Sequence, residues 1–393
     1  MKFTELALCD ALMDGLDAMN FEEMTPVQEQ AIPLIMQKRD IIACAQTGTG
    51  KTAAFILPLL NNLHEESPED GIKAIIIAPT RELAQQIDQQ MEGFSYFLPI
   101  SSVAVYGGND SQAWDIQRRG LQKGADVIIA TPGRLISHIN LSQIDFSKVQ
   151  YLILDEADRM LDMGFYDDIM QIANQLPKSR QTIMFSATMP PKIRQLAKSL
   201  MNNPAEVQIA VSRPPEAIMQ TAYICYEKQK PQLVHSLFAS HPANKVIIFS
   251  SSKIKVKEIT KTFRQMKLSA GEMHSDLDQS QRDHVMHEFK NNRIGILVAT
   301  DIVSRGIDID DISLVINYDV PHDVEDYVHR IGRTARAGDE GLAITFVSEE
   351  DQYKFKQIED FLGKTIYKIP MPEELGDVPV YDPEKKQEEI KRL

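Results

Sequence analysis

The chain has 393 residues, 43% of them hydrophobic, and a formal net charge of −14. That length allows two domains, each with its own apolar core. No apolar run approaches the ~20 residues that cross a bilayer, and the start, Met1-Lys2-Phe3-Thr4-Glu5, lacks an apolar signal region, so no membrane association and a cytoplasmic location are expected. The charge divides as −9 in residues 1–210 and −5 in 211–393, which excludes a general basic coat for nucleic acid and leaves room for a local basic track. Cys9, Cys44 and Cys225 are far apart, without metal-cage or disulfide spacing, and read as ordinary buried thiols.

Short apolar runs recur at 41–43, 74–78, 127–130, 151–154 and 182–185, then at 222–226, 246–249, 294–298, 314–316 and 343–347. Each reads as a buried parallel strand. Amphipathic stretches at 81–94, 192–201 and 255–267 have the spacing of crossover helices. The pattern predicts an α/β chain in which a doubly wound, mostly parallel sheet flanked by helices occurs twice. Periodicity breaks at 210–218, where Ser212, Arg213, Pro214, Pro215 and Glu216 cluster. The expected division is a first domain at 1–209, a linker at 210–218, a second domain at 219–369 and a polar tail at 370–393, either mobile or docked weakly.

The first run leads into Ala45-Gln46-Thr47-Gly48-Thr49-Gly50-Lys51-Thr52, and a helical stretch follows at 53–60. Strand, glycine-rich turn and helix start form the context of a phosphate loop. Its backbone N–H groups converge on phosphates, Lys51 neutralises their charge, and the Thr52 hydroxyl suits Mg²⁺. Ala45 stands where the general pattern has its first glycine. A second chemical segment, Asp155-Glu156-Ala157-Asp158, follows the run at 151–154. Ligands in open α/β sheets bind at the carboxyl ends of strands. Asp155 is therefore a candidate Mg²⁺ ligand through water, and Glu156 a candidate to orient or deprotonate an attacking water. ATP with Mg²⁺ is the expected substrate and cofactor.

Residues 155–158 and a series of segments in matching order resemble the DEAD-box RNA helicases over roughly residues 3–365. The resemblance implies two tandem RecA-like domains, ATP hydrolysis at a cleft between two lobes, and local unwinding of short RNA duplexes or remodelling of RNA–protein complexes by a monomer. Phe21 and Gln28 are similar to the family's adenine-reading pair, although Asn20 and Met24 replace its usual glycine and proline. An amide can meet adenine's N6/N7 edge and an aromatic can stack on the ring. Without the family, these two residues read as a core aromatic and a surface amide. Ser186-Ala187-Thr188 resembles the segment that couples nucleotide state to unwinding, a role the resemblance also gives to Asp158 and His329. In the second half, His329-Arg330-Ile331-Gly332-Arg333-Thr334-Ala335-Arg336 is the strongest match, with Ala335 in place of a glycine. The resemblance assigns Arg333 and Arg336 to the γ-phosphate, where a guanidinium stabilises a loose phosphoryl-transfer transition state, Asp308 to the nucleotide's ribose, and Gly306 to the nucleotide site.

Candidate RNA contacts by the same resemblance are Pro79, Thr80, Arg81, Gly107, Gly108, Thr131, Gly133 and Arg134 in the first half, and Gln279, Arg282 and Thr300 in the second. Hydroxyls, helix starts, bare amides and arginines suit phosphate and sugar contacts and carry no base code. Lys253, Lys257, Lys261 and Arg264 share one helical face and read best as a solvated face. Few exposed aromatics interleave these motifs, so base stacking is not expected. Rival readings are an ATP-gated RNA clamp, whose hydrolysis serves timing, and a DNA translocase of a related two-lobed group.

Overall fold

The computed structural model describes residues 1–45, 49–65, 70–107, 111–209, 217–239, 245–301, 312–321, 324–334 and 341–384. Contacts divide the chain into two compact units, Met1–Ser212 and Arg213–Leu393. The candidate residues Gln46, Thr47, Gly48, Gly108, Gly306, Asp308 and Arg336 lie outside the described residues, as does the side chain of Gln279.

Seven parallel strands form the first sheet: β1 (Ile41–Cys44), β2 (Ala74–Ile77), β3 (Ser102–Val105), β4 (Val127–Ala130), β5 (Tyr151–Leu154), β6 (Gln181–Ser186) and β7 (Ala205–Gln208), in the spatial order β3-β4-β2-β5-β6-β1-β7. Successive side chains alternate between faces, so Ile41 and Ala43 of β1 enter one core and Ile42 the other, as Ile76 and Ile75 of β2 do. Both faces are buried, which is why the central strands read as unbroken apolar runs. The second unit repeats the plan with β8 (Ile218–Ile224), β9 (Val246–Phe249), β10 (Ala270–Met273), β11 (Ile296–Ala299), β12 (Leu314–Asn317), β13 (Gly341–Val347) and β14 (Tyr367–Lys368), ordered β10-β11-β9-β12-β13-β8-β14.

Several expectations shift at the boundaries. The strand expected at 222–226 begins four residues earlier, at Ile218, because β8 pairs with β13 along its whole length. Residues 370–384 run along the second unit: Gln229 Nε2 donates to the carbonyls of Leu375 and Asp377, Gln352 Nε2 to that of Val380, and the Tyr381 hydroxyl to Glu359 Oε2 at 2.9 Å. Of the three free thiols only Cys225 is fully buried, and burial pushes it up to about 12. No described helix is long and apolar enough to cross a membrane.

Candidate nucleotide and nucleic-acid sites

Sheet order decides which loops meet. Because β6 lies between β5 and β1, the segments leaving these three strands emerge side by side on one carboxyl edge. They are the phosphate loop, the 186–188 segment and the 155–158 segment. Ala45 N donates to Ser186 O at 3.0 Å and Cys44 Sγ approaches Ala187 O at 3.4 Å. The loop's described end, Thr49 and Gly50, enters the helix Lys51–Glu65. Gly50 has φ +85°, which favours glycine, and a Cβ there would stand 2.5 Å from Gln28 Nε2 and push that amide aside.

Gln28 is 1% exposed, which corrects its reading as a surface amide. Its Oε1 accepts from Thr25 N at 2.8 Å and its Nε2 donates to Gly50 O at 3.0 Å. The amide thus ties the start of the helix Pro26–Met36 to the phosphate loop and retains one N–H and one lone pair. Phe21 packs edge-on to Phe94, 5.1 Å between ring centres, and tilted to Phe3 at 6.3 Å.

Lys51 is 6% exposed and its Nζ has no hydrogen-bond partner. A buried ammonium left in that state costs free energy that an anion would recover. Asp155 is also buried; burial pushes its carboxyl up to about 6, Lys51 opposes this, and Glu156 and Asp158 add to it. Its Oδ1 accepts from Glu156 N at 2.9 Å. Glu156 sits in the left-handed region (φ 50°, ψ 51°) at the start of the helix Ala157–Asp162, and pairs with Arg159 Nη1 at 3.3 Å. For a non-glycine residue that conformation costs roughly 1–3 kcal/mol and clusters at functional positions. Asp158 Oδ2 accepts from both Thr188 N and Thr188 Oγ1 at 3.0 Å, while Ser186 Oγ donates to Thr188 O at 2.7 Å. A tripeptide with little meaning in sequence is thus joined to the acidic segment through one carboxylate.

The other end of the same edge gathers the remaining first-unit candidates, since β3, β4 and β2 are neighbours. Pro79, Thr80 and Arg81 follow β2, Gly107 follows β3, and Thr131, Gly133 and Arg134 follow β4. Thr80 caps the helix Arg81–Phe94, accepting from Leu83 N at 3.3 Å. A Cβ at Gly107 or Gly133 would meet nothing within 4 Å, so the folded unit itself does not demand glycine there.

Sequence reading missed what lies beneath the two arginines. Arg81 stands 5.3 Å from the Tyr106 ring centre, and Arg134 4.3 Å from that of Trp114, with Arg134 Nε donating to Gln117 Oε1 at 2.9 Å. Trp114 stacks on His138 at 3.8 Å, and His138 Nε2 meets the same Gln117 oxygen at 3.1 Å. Trp114 is the chain's single tryptophan, the one available signal. Burial, then the charges of Arg134 and Arg118, lower His138 to about 4 from 6.5. Between those values the unfolded chain takes up a proton that the folded one refuses. This contribution to stability is fully present above pH about 6.5 and is lost as pH falls through about 4. The His138→Gln protein should show a flatter fall in melting temperature over that window; an unchanged slope would remove His138 from the account.

In the second unit, β10 and β11 are neighbours, and Arg282 and Thr300 are each tied to backbone near their carboxyl ends: Arg282 Nη2 donates to Ser275 O at 3.3 Å and Thr300 N to Met273 O at 3.1 Å. Thr300 Oγ1 is buried without a partner. The three described members of the basic segment separate by role. Arg330 is 1% exposed and grips Asp301 through two bonds of 2.7 and 2.9 Å, and it also donates to Asp319 O at 2.9 Å, so it is a structural clamp. Arg333 Nε donates to His329 O at 3.3 Å. Lys253 and Lys257 both pair with Asp276, at 2.7 and 2.9 Å, and Arg264 Nε donates to Ala270 O, which spends much of that basic helix face locally.

Two parallel sheets, the first with a phosphate loop at the end of β1, define the class as tandem RecA-like domains built around nucleotide use. The model for DEAD/DEAH box helicases matches residues 25–196, and that for the helicase conserved C-terminal domain matches residues 229–338. The ATP-dependent RNA helicase CshA of Listeria monocytogenes is 40% identical over 94% of this chain and 71% of its own length, and that of Limosilactobacillus reuteri is 40% identical over 91% and 71%. Among solved structures, S. cerevisiae Dbp5 bound to RNA and ADP BeF3 superposes with a TM-score of 0.81 at 30% identity, covering 100% of this chain and 98% of the chain in that structure. A DEAD box protein from Methanococcus jannaschii gives 0.53 at 37% identity over 94% and 99%. The chain belongs to the DEAD-box family of ATP-dependent RNA helicases.

Proposed function

We propose that this chain binds RNA without regard to sequence and uses ATP to separate short duplexes or to remodel RNA–protein complexes. The observation that carries the nucleotide half of the reading is Lys51 Nζ, buried without a hydrogen-bond partner and acting electrostatically on the buried Asp155. Lys51 neutralises the β- and γ-phosphates, with the backbone N–H groups of residues 46–50 supplying the remaining donors. Gln28, and Phe21 by resemblance, read adenine. Glu156 orients the attacking water and receives its proton. Arg333 and Arg336 stabilise the charge that spreads over the γ-phosphate oxygens. Because these groups are divided between the two units, a fragment of residues 1–212 is expected to turn over ATP poorly.

A hard cation fits the donors present, a buried carboxylate at Asp155 and the hydroxyl of Thr52 beside the phosphate-binding lysine, and Mg²⁺ held there would neutralise phosphate charge. The RNA track comprises Thr80, Arg81, Gly107, Thr131, Gly133 and Arg134 on the first unit, and Arg282 and Thr300 on the second. Tyr106 and Trp114 hold two of its guanidinium planes. Such groups contact phosphate and sugar and leave base identity unread, and 2′-hydroxyl contacts are what favour RNA over DNA. Asp158, through Thr188, links the acidic segment to the end of β6 and is the proposed coupling element.

A short RNA duplex with a single-stranded tail tests the assignment. Strand separation should require ATP and should fall in step with ATP turnover when Arg333 is replaced by alanine. Brisk ATP turnover with no strand separation would replace unwinding by an ATP-timed clamp.

A further inference from the structure

A cavity of about 1260 Å³ opens on the side of the first sheet away from the nucleotide loop. Its walls come from the segments that enter five adjacent strands: Lys38, Arg39 and Asp40 ahead of β1, Lys73 ahead of β2, 147–150 ahead of β5, 177–180 ahead of β6, and 199–203 ahead of β7. These are the amino ends of the strands whose carboxyl ends carry the phosphate loop and the acidic segment. No residue assigned above to ATP or RNA lines the cavity.

Its charge runs against that of the surrounding molecule. Residues 1–210 hold 17 Lys and Arg against 26 Asp and Glu, yet six of those cations, Lys38, Arg39, Lys73, Lys148, Lys178 and Arg180, line this single space against one carboxylate, Asp40. Asp40 is already engaged: its Oδ1 accepts from Thr182 N and its Oδ2 from Asn202 N, both at 2.7 Å. Lys73 is neutralised by Asp126 at 3.0 Å. Arg39 and Lys178 are exposed and have no ion pair among the described residues. A concave wall of one sign focuses potential and draws in anions.

Two polar atoms of the lining are unsatisfied. Gln181 is 6% exposed; its Nε2 donates to the carbonyls of Ile35 and Arg39, while its Oε1 has no donor. Arg180 donates from Nη1 to Pro177 O at 3.0 Å, and its Nε has no acceptor. Lysines and arginines suit phosphate, while these two atoms are sealed behind the wall and do not face the cavity. The lone lining aromatic, Tyr151, is 1% exposed, so no platform exists for stacking single-stranded bases. The volume exceeds that of a typical small-ligand pocket and is far more than one phosphate group needs.

We propose that this amino-edge cavity is a second ligand site on the first unit, taking a small, multiply phosphorylated molecule. It is distinct from the ATP loop and from the RNA track.

Inorganic tripolyphosphate is a suitable probe, titrated calorimetrically into the full chain already saturated with ADP and Mg²⁺. One binding event is expected. The Arg39→Ala/Lys178→Ala protein, altered only at exposed side chains, should bind the probe at least tenfold more weakly while keeping its melting temperature and its RNA-stimulated ATP turnover. Lys51→Ala should leave probe binding intact. The proposal is overturned if no probe binds once ADP is present, if Lys51→Ala abolishes binding, or if the double variant binds the probe as the parent does. It is equally overturned if that variant loses affinity for single-stranded RNA instead, which would make the cavity an extension of the RNA surface.

Discussion

A Glu156→Gln protein is expected to bind ATP and RNA as the parent does and to turn over ATP roughly 10²–10⁴-fold more slowly, the usual contribution of a positioned general base. Glutamine keeps the size of the side chain and an acceptor for Arg159, which lies 3.3 Å from Glu156 Oε2, so the local structure should hold. What it removes is the ability to take a proton from water. The left-handed backbone of Glu156, φ 50° in a non-glycine residue, is held by the bond of its N–H to Asp155 Oδ1 and by Arg159, and such backbone clusters at functional positions. Single-turnover hydrolysis measured beside nucleotide and RNA affinities separates the steps. Near-normal turnover would take Glu156 out of its role, and lost affinity would make it a binding residue.

The second large effect concerns stability. Asp319 is 4% exposed. Its Oδ1 meets Lys230 Nζ at 3.1 Å and Lys255 Nζ at 2.8 Å, while its Oδ2 accepts from Ser250 Oγ, Ser251 N and Ser251 Oγ at 2.8–2.9 Å. Burial alone would raise this carboxyl, but Lys230, Lys255 and Ser251 N hold it far below the usual carboxylate range. Removing one partner of a buried pair costs about 3–5 kcal/mol because the other charge is stranded. Lys230, fully buried, would keep Glu227 at 2.6 Å, itself half exposed, as its one carboxylate among the described residues, with the Tyr318 ring 5.3 Å away. Asp319→Ala should therefore lower the unfolding free energy of the second unit by about 3 kcal/mol, at the low end of that range. The Asp319 contribution is present above the ordinary carboxylate range and disappears as pH falls through its depressed value, so parent and variant should converge in strong acid. Denaturant unfolding followed at neutral and acid pH checks both points, and equal stabilities at neutral pH would contradict the network's importance.

The central strands of both sheets were legible because burial on two faces demands unbroken apolar runs such as Ile75-Ile76-Ile77 and Val246-Ile247-Ile248. The four strands that no run announced, β3, β7, β10 and β14, are the four sheet edges. Residues such as Glu206 and Glu272 can face solvent there, so the hydrophobic signal weakens. The phosphate loop and the acidic segment were readable from strand-to-loop context and local chemistry. The bonds that join Gln28 to Gly50 and Asp158 to Thr188 were not, because these partners lie 22 and 30 residues apart in sequence and only the fold brings them together. Arg330 shows the opposite hazard: composition put three arginines together, and of the two described, both buried, the fold uses Arg330 as a clamp on Asp301.

The coupling of RNA binding to ATP use is the property on which every assigned role depends. Its most direct test is the steady-state rate of ATP hydrolysis by the full chain with Mg²⁺, without nucleic acid, with single-stranded RNA, and with DNA of the same sequence. A rate that rises strongly with RNA and weakly or not at all with DNA is predicted. A rate indifferent to RNA would contradict that coupling while leaving the nucleotide site of Lys51 and Asp155 in place.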